Sequence, residues 1–193
     1  MAPTDDRLCS WAQGSSDLMR AYHDTEWGRP SHDDRHLFEM LVLEGAQAGL
    51  SWSTVLNKRE NYRAAMDGFD VHRIAEYGQA DTDRLLGDPG IIRNRLKIAS
   101  AVRNARAFLR VQKEFGTFAD YLWAWVDHTP VVHHFTDASE VPASTPLSDR
   151  VGRDLKKRGF NFVGTTIVYS YLQANGLVED HLVGCPAKPA ATP

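Results

Sequence analysis

The sequence predicts an all-α protein, a bundle of about eight helices with short connections. Three observations predict it. Apolar residues recur at spacings of three and four along most of the chain. Cap residues bound these runs, with Ser or Thr ahead and Gly behind. Strand-type alternation is nearly absent; "PVVHHF" (130–135) is one short extended candidate, and one piece makes no sheet.

The elements follow in order. "SHDDRHLFEMLVLEGAQAGL" opens on Ser31, with Asp34 three residues later in a capping-box pattern. Leu37, Met40, Leu41 and Ala48 then fall at helical spacing. "SWSTVLNKRENYRAAMDG" reads as a second helix, stopped by Gly68. A short helix runs from Asp70 to about Tyr77, and "DTDRLLGDPG" gives a turn of helix and a tight loop. "IIRNRLKIASAVRNARAFLRVQKEFG" is the longest helix, with Ile92, Leu96, Ala99, Val102, Ala105 and Leu109 on one side and Gly116 closing it. "TFADYLWAWV" begins with Thr117-x-x-Asp120, again a capping box. Two further helices run from Ser148 to the stop at Gly159 and from Gly164 to the stop at Gly176. Residues 128–147 are the most loop-like stretch. The reading is one domain over residues 1–186 and a disordered tail over 187–193.

A chain of 193 residues can bury a core of its own. Its 42% hydrophobic and 24% charged residues are ordinary for a globular protein. No apolar run is long enough to span a bilayer, and "MAPTDDRLCS" lacks the order of a signal peptide, so a cytoplasmic location is expected. A net charge of −3 argues mildly against a nucleic-acid partner. "GIIRNRLK" (90–97) and "LKKRG" (155–159) are nevertheless basic patches that can hold phosphates. On charge alone, solvated helix faces explain them better.

Two cysteines form no disulfide framework, although a Cys9–Cys185 bridge is conceivable. Cys9, His23, His181 and Cys185 also make a Cys2His2 set drawn from the two chain ends. The spacing His181-x-x-x-Cys185 puts both side chains on one side of a helical turn or tight loop. Four such ligands would close a structural Zn2+ site and staple the terminal segments together. Without a C-x2-C knuckle the alternative stays open: ordinary small cysteines with incidental histidines. His32, His36, His133 and His134 compete as ligands, but none lies near a cysteine in sequence.

Aromatic residues crowd the first quarter of the chain. Trp11, Tyr22, Trp27 and Trp52 accompany Glu44 and Gln47. Leu37, Leu41, Glu44 and Ala48 share one helix face, which places Glu44 on an apolar stripe. A carboxylate there needs a partner or a pocket. A satisfied core carboxylate among core aromatics is one reading. The other is an electron-rich box for a flat, cationic guest with an amino group, each ring face contributing roughly 0.5–2 kcal/mol.

"LKKRGFNFVGTTIVYSYLQANG" (155–176) reads helix, glycine-bounded turn, helix, with Gly159 and Gly164 bracketing the turn and a new helix near Thr165. Such a turn binds a phosphate without reading a base. It resembles the helix-hairpin-helix of DNA repair glycosylases. Together with "AYHDTEWG", "LEGAQAGLSW", "LNKRENYRAA", "GIIRNRLKI", "LKKRGFNFVGTT" and "DHLVGC", it makes the chain similar to the bacterial 3-methyladenine DNA glycosylase I family from about residue 8 to 186.

The resemblance implies a helix-hairpin-helix glycosylase fold with structural zinc on Cys9, His23, His181 and Cys185. It implies that Glu44 recognises the damaged base, that Tyr22 and Trp52 stack on it, and that Trp11 and Trp27, with Gln47, line the pocket. Gly49 and Leu50 fall where the family probes the gap left in the duplex. Lys156, Lys157, Arg158, Gly159, Gly164 and Thr165 would grip phosphates. The implied activity is hydrolysis of the N-glycosidic bond of 3-methyladenine in double-stranded DNA, by a monomer. No lysine in the pocket motifs offers a Schiff base, so strand cleavage is not expected. Met19 departs from an aromatic family position. Asp180 lies where other superfamily members carry a catalytic aspartate, and no such role is assigned to it. The rival readings are a non-catalytic reader of damaged DNA and a zinc hydrolase.

Overall fold

The computed structural model describes residues 8–189. Among them are ten α-helices: α1 (Asp17–Thr25), α2 (Asp34–Gln47), α3 (Trp52–Leu56), α4 (Arg59–Ala65), α5 (Val71–Ala75), α6 (Gln79–Gly87), α7 (Arg95–Phe115), α8 (Phe118–Trp123), α9 (Pro146–Lys157) and α10 (Thr165–Ala174). Two short strands, β1 (Val131–Val132) and β2 (Val178–Glu179), pair in parallel. The all-α expectation therefore holds, with more helices than anticipated and one short bridge. No helix among the described residues is long and apolar enough to cross a membrane.

Helix α2 is the axis of the molecule. Every residue from Leu37 to Ala46 is buried, and α3, α7, α8 and α10 pack around it. A helix enclosed on all sides needs apolar residues all round rather than a stripe. Its cap is Asp33, whose carboxylate accepts from the His36 N–H at 2.9 Å, and not Ser31. Asp34 instead reaches across to α8 and accepts from the Phe118 and Ala119 N–H groups, both at 2.8 Å. The buried Glu39 of α2 is met by the guanidinium groups of Arg59 and Arg63.

Other elements differ in detail from the sequence reading. The expected second helix divides into α3 and α4 around Asn57–Lys58; Asn57 turns its side-chain amide onto the Ser53 carbonyl at 2.7 Å. Residues 79–87 form a full helix rather than a single turn. Helix α7 buries Ile98, Ala101, Ala105, Phe108 and Val111, while Leu96, on the expected inner face, is 65% exposed. Both stripes obey helical periodicity, and the bulk of Phe108 decides between them by stacking on Phe118 at 4.0 Å.

The expectation of a disordered tail is corrected for residues 187–189. Ala187 is buried. The Lys188 ammonium donates to the His133 carbonyl, Glu179 Oε2 and the His181 carbonyl, at 2.8, 2.8 and 2.7 Å. Residues 190–193 lie outside the described residues. Helices α9 and α10 pack together, joined by a link that begins at Gly159 with φ +95°. Asn104 of α7 anchors this link, accepting from the Asn161 N–H at 2.8 Å and donating to its carbonyl at 3.1 Å. Gly152 gives the link room to pass, since a Cβ there would lie 3.0 Å from the Val163 carbonyl oxygen.

Candidate functional site

Helices α1, α2 and α10, with the start of α3, enclose a cavity of about 570 Å³. Its walls include Trp11, Tyr22, Trp27, Glu44, Gln47 and Trp52, so the expected aromatic and carboxylate residues do converge. Met19 completes one wall. The adjoining cavity, about 200 Å³, shares Glu44, Gln47 and Ser170 with the first and extends to Gly49, Leu50 and Thr166.

Glu44 is 4% exposed, and no group among the described residues donates a hydrogen bond to it. Burial alone pushes its carboxyl up to about 8. The pocket therefore lacks the standing negative charge expected from sequence: near neutral pH the carboxyl mostly keeps its proton and can donate as well as accept. Tyr22 is also buried, and desolvation, followed by the nearby Glu44, holds its phenol protonated far into the alkaline range.

The two stacking candidates touch each other. The ring centroids of Tyr22 and Trp52 are 5.3 Å apart, with planes tilted by 44°. A flat ring held between two faces needs them about 7 Å apart, twice the van der Waals spacing. Tyr22 and Trp52 thus form adjoining walls rather than a slot. The Trp52 indole N–H is buried without an acceptor among the described residues.

Trp11 and Trp27 connect this cavity to the cysteine–histidine cluster. Trp11 meets Trp27 and His23 edge-on at 5.2 and 5.1 Å, and Trp27 meets His181 at 4.6 Å. Donor atoms of Cys9, His23 and Cys185 lie within 4.8 Å of one another, all buried. His181 lies beside this trio, its ring 4.9 Å from that of His23, but its nitrogens fall outside the compact group. The Nδ1 atoms of both histidines are engaged by carboxylates, His23 by Asp24 at 2.7 Å and His181 by Glu179. His23 Nε2 then lies 3.6 Å from Cys185 Sγ, in the pattern of metal-bound imidazoles oriented by a carboxylate, whereas His181 Nε2 lies 3.4 Å from the His23 carbonyl oxygen. Both cysteines are free thiols, so the conceivable disulfide is not formed. Burial pushes the Cys9 thiol up to about 12, and a cation would be needed to hold a thiolate there. Two thiols and an oriented imidazole fit the nitrogen and sulfur preferences of zinc.

The basic residues of the hairpin divide. Lys156 and Lys157 are exposed, and no ion pair with another described residue engages them. Arg158 is held by Asp154 at 2.6 Å and Glu114 at 2.8 Å, over the rings of Phe115 and Tyr121. Its guanidinium braces α9 against α7 and α8. Gly164 caps α10 with ordinary negative φ, and Thr165 begins the helix with its hydroxyl 2.8 Å from that of Ser148. Leu50 is 41% exposed at the rim, and Gly49 before it has φ +77°.

Asp180 borders the cavity but is fully engaged, accepting from Gln173 at 2.7 Å, from the Tyr169 hydroxyl and from His133 at 2.6 Å. The sequence reading missed two cations that shape the site. Arg59 ties Glu39 of α2 to Glu26 beside the cluster. Lys97 donates to the Ala46 and Ala48 carbonyls, both at 2.7 Å. Main-chain partners leave no sequence signal.

A model of the methyladenine glycosylase family matches residues 11–188. The chain belongs to the methyladenine glycosylase family. Within that family it is 51% identical to DNA-3-methyladenine glycosylase 1 of Escherichia coli (strain K12), over 96% of this chain and 98% of that one. It is 45% identical to DNA-3-methyladenine glycosylase of Haemophilus influenzae, over 93% and 97%. A solved structure of a tyrosine-to-phenylalanine variant of 3-methyladenine DNA glycosylase I in complex with 3-methyladenine superposes with a TM-score of 0.93 at 34% identity. It covers 96% of this chain and 100% of that one.

Proposed function

We propose that the protein is a monofunctional DNA repair glycosylase that hydrolyses the N-glycosidic bond of 3-methyladenine in alkylated double-stranded DNA. The observation that carries this reading is the carboxyl of Glu44, buried in the wall of an aromatic cavity and without a hydrogen-bond partner among the described residues. Family membership over residues 11–188 supports it.

The target nucleotide must leave the stack to enter the cavity, at a cost of a few kcal/mol. Methylation at N3 makes the base cationic within DNA, so it departs as a neutral molecule and needs little general-acid help. The bond between C1′ and the base nitrogen breaks with its electron pair going to the base, and water adds at C1′ and gives up a proton to solvent. Glu44 and Tyr22 supply the polar contacts. A cationic occupant favours loss of the Glu44 proton to solvent and a charge-assisted hydrogen bond from the exocyclic amine. Trp11, Trp27, Trp52 and Met19 supply the shape, with Gln47 beside Glu44 at the junction of the two cavities. No lysine borders the cavity, which favours hydrolysis without strand cleavage.

Leu50 and Gly49, at the rim, fill the gap left in the duplex. Lys156, Lys157, the main chain from Gly159 to Gly164, and Thr165 at the start of α10 hold phosphates, with α9 and α10 acting as a helix-hairpin-helix. Cys9, His23 and Cys185, with His181 as the fourth ligand, hold a structural Zn2+ that ties the segment around residue 9 to that around residue 185. The protein works as a monomer on DNA in the cytoplasm, as one domain over residues 1–186 to which residues 187–189 add packing.

The test is incubation with methylated duplex DNA, followed by chromatography of the liberated bases. Free 3-methyladenine is the expected product. Binding of lesion-bearing DNA without base release would identify a non-catalytic reader instead.

A further inference from the structure

The C-terminal end of α2 has an unusual partner. Its last turn carries no basic residue, although the final carbonyls of a helix are unsatisfied and electronegative. Lys97, from the first turn of α7, fills that role from 51 and 49 positions away, donating to the Ala46 and Ala48 carbonyls. Lys97 is itself half-buried, and no carboxylate among the described residues pairs with it. Two main-chain oxygens at 2.7 Å are the described partners of its ammonium.

These carbonyls bracket a junction. Upstream, α2 is packed on all sides from Leu37 to Ala46, which fixes Glu44 without outside help. Downstream, little holds the chain. The Leu50 N–H bonds the Gln47 carbonyl at 2.6 Å, and Gly49 sits at positive φ with open space around its Cβ position. Leu50 is 41% exposed. Gln47, Ala48, Gly49 and Leu50 together line the smaller cavity that opens onto the base cavity.

We infer that Lys97 is a positioning residue for excision, pinning the turn after α2 so that Gln47 and Leu50 stand at a set distance from the base cavity. This rests on the glycosylase reading. Without the ammonium, the Ala46 and Ala48 carbonyls turn to water and Gly49 gains freedom. Leu50 must then be ordered during each encounter with DNA, and that ordering weakens the flipped complex. The base cavity, held by α2 packing, keeps its shape. Lys97 thus acts on the path of the base out of the duplex and not on the affinity for the base once free.

The experiment compares native protein, Lys97→Met and Lys97→Arg. Three quantities are read: single-turnover release of 3-methyladenine from methylated duplex, affinity for free 3-methyladenine, and amide exchange at Leu50. For Lys97→Met the expected result is at least about tenfold slower release and about tenfold faster Leu50 exchange. Free-base affinity should stay within about twofold of native. Lys97→Arg, whose guanidinium can still donate to two carbonyls, should recover most of the release rate. Lys97→Gln, with one neutral donor group, gives the same comparison should the methionine variant not fold. Unchanged release in Lys97→Met, or a loss of free-base affinity in step with release, would overturn the inference. Absence of release by the native protein would remove the glycosylase reading, and this inference with it.

Discussion

Replacing Glu44 by Gln should make the protein more stable while making it a worse enzyme. The folded carboxyl keeps its proton up to about pH 8 because burial penalises the charge, against an ordinary value of 4.5. Between these values the folded state binds more protons than the unfolded one, so stability falls as pH rises. Each pH unit in that window costs about 1.4 kcal/mol, or about 4 kcal/mol between pH 5 and pH 8. Gln has the same shape and cannot ionise. The variant should match native stability near pH 5 and exceed it by about 4 kcal/mol at pH 8, a rise in melting temperature of about 8–16 °C for a chain of this size. Urea and thermal unfolding of both proteins across this range give the comparison, and all other titrating groups cancel in the difference. Base release should fall in the same variant, because the group that faces the occupant can no longer take a charge. Parallel pH–stability curves for the two proteins would refute the argument, since they would mean that Glu44 is solvated or paired.

The cysteine–histidine cluster should retain one zinc ion per chain on metal analysis. Its removal by a chelator should shift the fluorescence of Trp11 and Trp27, which lie against the cluster histidines, and added zinc should restore it. Arg158→Ala should cost about 1–2 kcal/mol by unfolding measurements, since its ion pairs are partly solvated, and leave the salt dependence of DNA binding alone. Lys156→Ala should instead lower the slope of log affinity against log salt by about 1 without lowering stability. Asp180→Asn should destabilise by about 3 kcal/mol, since the buried carboxylate takes three donors, yet release base at close to the native rate well below its melting temperature.

What could be read from the chain depended on how local the cause was. The Thr117 cap and the stops at Gly116, Gly159 and Gly176 follow from a few neighbouring residues, and all appear. The convergence of Trp11, Tyr22, Trp27, Glu44 and Trp52 could be inferred because one helix face and several short motifs carry most of it. Electrostatics and ring geometry could not. The proton on Glu44 depends on enclosure by other helices, and the contact between Tyr22 and Trp52 depends on how α1 meets α3. The bond from Arg158 to Glu114 left no local sign because the two are 44 positions apart. The parallel bridge of β1 and β2 is two residues per strand, too short for any period to register.

With Zn2+ held as proposed, the link from Cys9 to Cys185 also sets how the molecule answers mechanical load. Tension applied from outside these two residues runs directly between them and bypasses the helices. Resistance to forced unfolding, or to a motor that threads the polypeptide from either side, is therefore concentrated in a few buried sulfur and imidazole atoms.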